Sequence, residues 1–224
     1  GPWNRPKLLR RRSDPMTPDI DTLTQMIRDK QFGDRRILVA IVGAPASGKS
    51  TLSERLHHHL GGDEAGAVVV PMDGFHFDDA ILAERDLLAR KGAPETFDVG
   101  GFKRILDAIR ADNDDVYVPV FDRNLELSRG SARGVLQNHR IVLVEGNYLL
   151  LDQSPWDQLA GLFDLSFFVD VPVETLERRL VERWLSHGYD RDAACRKAGG
   201  NDIPNAKFVI ENSLTTQAIT INNG

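Results

Sequence analysis

The sequence predicts an α/β fold in which a mostly parallel sheet carries helices on both faces. Two observations predict it. The chain of 224 residues alternates short runs of β-branched residues with stretches of helical periodicity. Several of the apolar runs are continuous rather than alternating, as in strands buried on both faces of a parallel sheet.

Residues 19–32 open the order as an amphipathic helix, with Ile20, Leu23, Met26 and Ile27 on one side. "RRILVAIVG" (35–43) is the first strand. Similar runs follow at "AVVVPMD" (67–73), "YVPVFD" (117–122), "RIVLVEG" (140–146), "LSFFVDV" (165–171) and "AITI" (218–221). Helical patterns fall between them at 49–60, 78–91, 101–110, 153–161 and 173–187. Ligands of such sheets gather at the carboxyl ends of the strands, so chemistry-bearing residues are expected just after each run.

Composition narrows the function classes. The net charge of −5 hides an asymmetry: Arg5, Lys7, Arg10, Arg11 and Arg12 against Asp14 give the first 15 residues +4, leaving −9 for the rest. An acidic body argues against nucleic acid as the main partner. No apolar run reaches the roughly 20 residues that span a bilayer, so no membrane partner is expected. The single cysteine, Cys195, has no internal disulfide partner, and a reducing cytoplasm is the expected compartment. Residues 1–16 read as a basic leader or an expression remnant without fixed structure, Met16 being a plausible natural start. Residues 17–224 read as one domain. A homodimer is left open.

After the first strand, Gly43-Ala44-Pro45-Ala46-Ser47-Gly48-Lys49-Ser50 fits G-x-x-x-x-G-K-[ST], and Thr51 follows. Glycines let backbone N–H groups curl around an anion, and the helix behind them favours phosphate with its dipole. Lys49 would reach the β- and γ-phosphates, and the Ser50 hydroxyl would ligate Mg²⁺. This is the loop of a P-loop NTPase, a three-layer fold, and it implies a nucleoside triphosphate. No N-K-x-D motif reads guanine. The strand that usually ends in a magnesium-binding Asp ends here in Val144-Glu145-Gly146.

"VVVPMDGFHFDD" sets Asp73 at the end of the second run, before a glycine. It could take a proton from an attacking hydroxyl, or it could close a strand as an Asx turn. Together with "KGAPETFDVGGF", "VPVFDR" and "VLVEGNYLL", this stretch resembles the superfamily of uridine kinase, phosphoribulokinase and bacterial pantothenate kinase. Within it, the chain is most like the branch of short proteins labelled fructose-transport-system or sugar kinases. The likeness spans about residues 35–221.

The resemblance implies an ATP-dependent kinase using ATP and Mg²⁺ to phosphorylate an alcohol of a small-molecule acceptor. It implies Asp73 as catalytic base and Glu145 as a second holder of Mg²⁺. Asp98, His76, Asp122 and Arg123 match acceptor-side positions, His76 being equally readable as a packed ring between phenylalanines. It also implies a helical lid at about 178–200, whose Arg179 and Arg183, at i and i+4 on one face, close on the transferring phosphoryl group. The other reading of those arginines is a solvated helix partnered by Glu174, Glu177 and Glu182. Asn212 is similar to an asparagine beside the adenine in related kinases, or else forms a turn before the last strand.

By elimination the acceptor is a neutral sugar or polyol; a uridine- or pantothenate-type acceptor is the alternative. A nucleotide-binding regulator without turnover is a further reading, opposed by the presence of both Asp73 and Glu145. An ATPase driving a larger assembly ranks last.

Overall fold

The computed structural model of the chain describes residues 18–224. The basic head, Met16 and the boundary at residue 17 lie outside the described residues. The first helix, α1 (Ile20–Lys30), is capped by Asp19, whose side chain accepts from the Thr22 amide at 2.8 Å. Five strands form the main sheet: β1 (Ile37–Gly43), β2 (Ala67–Pro71), β5 (Ile141–Gly146), β6 (Leu165–Asp170) and β7 (Ile219–Asn222). Their order is β2-β5-β1-β6-β7 and every pairing is parallel.

The continuous apolar runs are explained by two cores, one on each face. Ile37, Val39, Ile41, Leu143 and Phe167 pack against Leu23 and Ile27 of α1 and Leu56 of α2 (Lys49–His59). Leu38, Ala40, Val42, Val142, Val144 and Phe168 pack against α4 (Val99–Ala111), α5 (Val173–Ser186) and α7 (Ile203–Asn212). All seven residues of β1 are buried. Each fully buried Val, Leu or Ile adds about 1.5–3 kcal/mol of burial free energy, so both faces of the strand must be apolar.

Three sequence expectations differ from the structure. The run at 117–122 does form a strand, β3 (Val116–Asp122), but outside the main sheet. It pairs antiparallel with β4 (Leu127–Val135), which the sequence reading misses. Pro119 has no N–H to give a central ladder, and the register shifts between Val118 and Val120. The helix expected over 78–91 is a short α3 (Asp79–Glu84) stopped at Asp86, whose φ is +55°. The helix expected over 153–161 is two single 3₁₀ turns, Trp156–Gln158 and Ala160–Leu162. After α5 the chain makes α6 (Arg191–Lys197) and one π-helical turn, Ala198–Asp202, before α7.

Candidate active site

The carboxyl ends of β1, β2 and β5 converge because Ile41 and Pro71 both sit in register with Glu145. The phosphate loop leaves β1 at Gly43. A Cβ on Gly43 would lie 2.5 Å from the Ser47 hydroxyl oxygen, and one on Gly48 would lie 2.5 Å from the Asn223 amide nitrogen. Gly48 has φ +93°, and Ala46 also takes the left-handed region at +66°. Helix α2 begins at Lys49 without a side-chain cap and without an acidic residue in its first turn, which leaves its leading N–H groups for an anion. The Ser47 hydroxyl is buried with no hydrogen-bond partner among the described residues, a second polar group turned into the loop.

The loop is braced from below. The Asn223 side-chain amide donates to the Ser47 carbonyl at 2.8 Å, and the Asn223 backbone N–H donates to Asp170 at 2.9 Å. Arg179 of α5 donates to the Ala46 carbonyl at 3.2 Å and to the Asn223 carbonyl at 2.8 Å. Arg183, one turn further, is exposed and forms no ion pair among the described residues. Of the acidic partners considered for this helix, Glu182 pairs with Arg178 at 3.8 Å and Glu177 with Lys207 at 3.3 Å. Trp184 donates to Asp202 at 2.7 Å, tying α5 to the π-helical turn Ala198–Asp202.

Glu145 is buried at the centre of the site. Its Oε1 accepts from the Ser50 hydroxyl at 3.0 Å and lies 3.6 Å from Lys49 Nζ. Burial pushes its carboxyl above the ordinary carboxylate range; Lys49 draws it back and the nearby Asp73 pushes it further up. A buried carboxylate beside a hydroxyl is an all-oxygen set that fits a hard cation such as Mg²⁺, with phosphate oxygens and waters supplying the other ligands. Among the described residues no group of three or more His, Cys, Asp or Glu side chains is arranged to hold a metal unaided.

Asp73 stands in the 3₁₀ turn Met72–Phe75 that follows β2, with its side chain 37% exposed. Gly74 lets the turn meet the β3–β4 hairpin: a Cβ there would lie 2.3 Å from the Pro119 carbonyl. Arg123, from the end of β3, is 81% exposed and reaches to 3.6 Å from the Asp73 carboxylate. The His76 Nδ1–H donates to the Asp73 carbonyl at 2.7 Å, and its ring packs between Phe97 and Phe121 at 4.1 and 4.9 Å. His76 is therefore a packed ring that borders the Asp73 backbone. Burial holds its imidazole below the usual value, which the Asp73 carbonyl and carboxylate partly offset.

Other expected site residues have structural duties. Asp98 caps α4, accepting from the Gly101 amide at 2.9 Å. Asp122 closes the hairpin turn through the amides of Asn124 and Leu125 and pairs with Arg129 at 3.3 Å. Asn212 ends α7, accepts from Gln153 at 3.2 Å and donates to the Phe208 carbonyl. It lines neither of the two clefts beside the phosphate loop; the asparagine whose side chain reaches that loop is Asn223. A signal for it existed, since Asn222 and Asn223 directly follow the last apolar run.

Two clefts flank the loop. One of about 570 Å³ is lined by Ala46, Gly48, Thr51, Arg55, Arg179 and Asn223, among others. The other, of about 620 Å³, runs from Ser50 and Glu145 past Asp73 to Glu54, Arg123 and Arg133. Arg133 was not anticipated from sequence; it donates to the Val69 carbonyl at 2.7 Å and so caps the free edge of β2.

The profile of the Phosphoribulokinase / Uridine kinase family matches residues 38–222, nearly all of the described chain. The chain belongs to that family. Membership makes it a kinase, an ATP-dependent phosphotransferase acting on the alcohol of a small molecule. Among its relatives are YggC of Escherichia coli K12, a protein of unassigned function, 36% identical over 83% of this chain and 77% of that protein. A candidate uridine kinase of Schizosaccharomyces pombe is 30% identical over 83% of each. The crystal structure of a candidate fructose transport system kinase from Silicibacter sp. TM1040 is 42% identical, with TM-score 0.85 over 92% of this chain and all of that one. Among the described residues no helix of this family member is long and apolar enough to cross a membrane.

Proposed function

We propose that the chain uses ATP and Mg²⁺ to phosphorylate a hydroxyl group of a neutral sugar or polyol. The observation that carries this reading is the lining of the cleft at Asp73. Four carboxylates, Glu54, Asp63, Asp73 and Glu145, face it against two guanidinium groups, Arg123 and Arg133. Such a lining accepts hydrogen bonds from hydroxyl groups and repels an anionic acceptor. The likeness to the Silicibacter candidate fructose transport system kinase supports the same class.

In this reading the N–H groups of residues 43–51 and Lys49 hold the triphosphate. Mg²⁺, held by Ser50 and Glu145, would supply neutralising charge to the phosphate oxygens. Asp73 orients the acceptor hydroxyl and takes its proton as the phosphoryl group is transferred. Arg179 fixes the loop, and Arg183, exposed and without an ion-pair partner among the described residues, would meet the transferring group on closure of the lid. The free, exposed thiol of Cys195 supports a reducing, cytoplasmic setting.

The test is ADP release from ATP-Mg²⁺ in the presence of D-fructose, D-ribose, a tetritol, uridine or pantothenate. The sugars or the polyol should raise turnover, and Asp73→Asn should abolish the increase. Stimulation by uridine or pantothenate alone would overturn the acceptor assignment.

A further inference from the structure

A third cleft, of about 440 Å³, lies between the 3₁₀ turn Pro94–Thr96, the loop 151–156 and the first turn of α7. None of its lining residues belongs to the two clefts beside the phosphate loop. Its walls are apolar: Leu151, Trp156, Pro204 and Phe208. Into it faces Asn205, only 4% exposed, whose side-chain amide has no hydrogen-bond partner among the described residues. The other polar groups of the lining are largely committed. Arg90 donates to Glu95 at 3.2 Å and to Asn201 at 3.1 Å, Gln153 donates to Asn212, and the Trp156 indole donates to the Pro94 carbonyl at 3.1 Å.

An amide that opens into an apolar cleft without a protein partner keeps its hydrogen-bonding edge available to a ligand. A carboxamide offers one acceptor oxygen and two donor hydrogens side by side. The complement of that edge is another amide-type edge, a carboxamide or a cyclic lactam. With Arg90 already neutralised by Glu95, the cleft offers no unmatched charge to an ion. Its volume falls in the range of small-molecule sites, which are apolar with a few placed polar groups.

We propose that this cleft is a second small-molecule site, taking a neutral ring compound that bears a carboxamide or lactam edge, with Asn205 reading that edge. The inference is independent of which acceptor is phosphorylated. A bound molecule would bridge the Arg90–Glu95 segment to the start of α7.

The probes are nicotinamide and uracil, with benzoate as a charged control, titrated into ¹⁵N-labelled full-length protein. The Asn205 side-chain NH₂ pair and the Trp156 indole signal should shift saturably with a dissociation constant on the order of 1 mM. Benzoate should leave them in place, and a non-hydrolysable ATP analogue with Mg²⁺ should not displace the probes. Asn205→Leu, which keeps the volume and removes the amide, should lose the response while melting at or above the wild-type temperature. If that variant does not fold, Phe208→Ala should weaken binding at least several-fold. The proposal is overturned if neither probe shifts these signals, if Asn205→Leu binds as wild type does, or if the ATP analogue displaces the probes.

Discussion

Arg179 donates to the Asn223 carbonyl at 2.8 Å, and its other terminal nitrogen donates to Ala46 at 3.2 Å. One guanidinium thus fastens the end of the last strand to the crown of the phosphate loop. Ala46 holds a left-handed backbone, which the surrounding bonds must sustain against a conformational cost of about 1–2 kcal/mol. Arg179→Met should therefore weaken nucleotide binding about 10-fold, the loss of charge-assisted hydrogen bonds of about 1.5 kcal/mol, and lower the melting temperature as well. Arg183→Met, which breaks no bond of this kind, should leave the melting temperature unchanged and lower turnover. Calorimetric titration with an ATP analogue, together with thermal unfolding, separates the two arginines.

Asp73 is expected to act on the acceptor alone. Its carboxylate has Arg123 at 3.6 Å and otherwise opens into the cleft. Asp73→Asn keeps the shape of the side chain and removes the base, so acceptor-dependent turnover should fall by about 10²–10⁴-fold while the dissociation constant for ATP is retained. A variant with full acceptor-dependent turnover would remove Asp73 from the mechanism.

Most of the donor half was legible in the sequence. The continuous apolar strands fix a parallel sheet buried on both faces, and the G-x-x-x-x-G-K-S run lies where β1 becomes α2. The hairpin was harder. "LSRGSARGV" of β4 is mostly exposed and shows no apolar alternation, because it packs only part of one face. Arg133 lies on that strand, so one cationic residue of the cleft depended on an element without a periodic signal, whereas Arg123 directly follows the legible run 117–122. Asp98 shows the opposite difficulty. An aspartate ahead of a helix is read equally well as a ligand contact or as an N-cap, and here it accepts from Gly101 as a cap. Asn223 depended on a contact spanning the chain from loop to terminus, which spacing cannot reveal.

The hairpin's seat on the Asp73 turn should be sensitive to a single methyl group. A Cβ on Gly74 would meet the Pro119 carbonyl at 2.3 Å, a backbone atom with no rotamer by which to move aside. Gly74→Ala should destabilise the fold by about 1–3 kcal/mol and raise KM for the acceptor more than KM for ATP. Urea unfolding gives the first quantity and steady-state kinetics the second; an unchanged KM for the acceptor would show that the hairpin does not shape that pocket.

His76 supplies the pH dependence. Burial holds its imidazole below the usual 6.5, against the raising effect of the Asp73 carbonyl, the Asp73 carboxylate and Glu126 and with the lowering effect of Lys91. The unfolded chain therefore binds a proton at this ring more readily than the folded one. Folded stability is unaffected well above pH 6.5, then declines as pH falls through 6.5 and keeps declining until the folded value is reached. His139, also held low chiefly by burial, adds a decline of the same sign. His76→Gln removes one of these two contributions. The loss of melting temperature between about pH 7 and pH 5 should become shallower in the variant without vanishing, the residual slope belonging to His139 and the other ionisable groups. An unchanged slope would mean that the His76 ring is protonated as readily in the fold as in water.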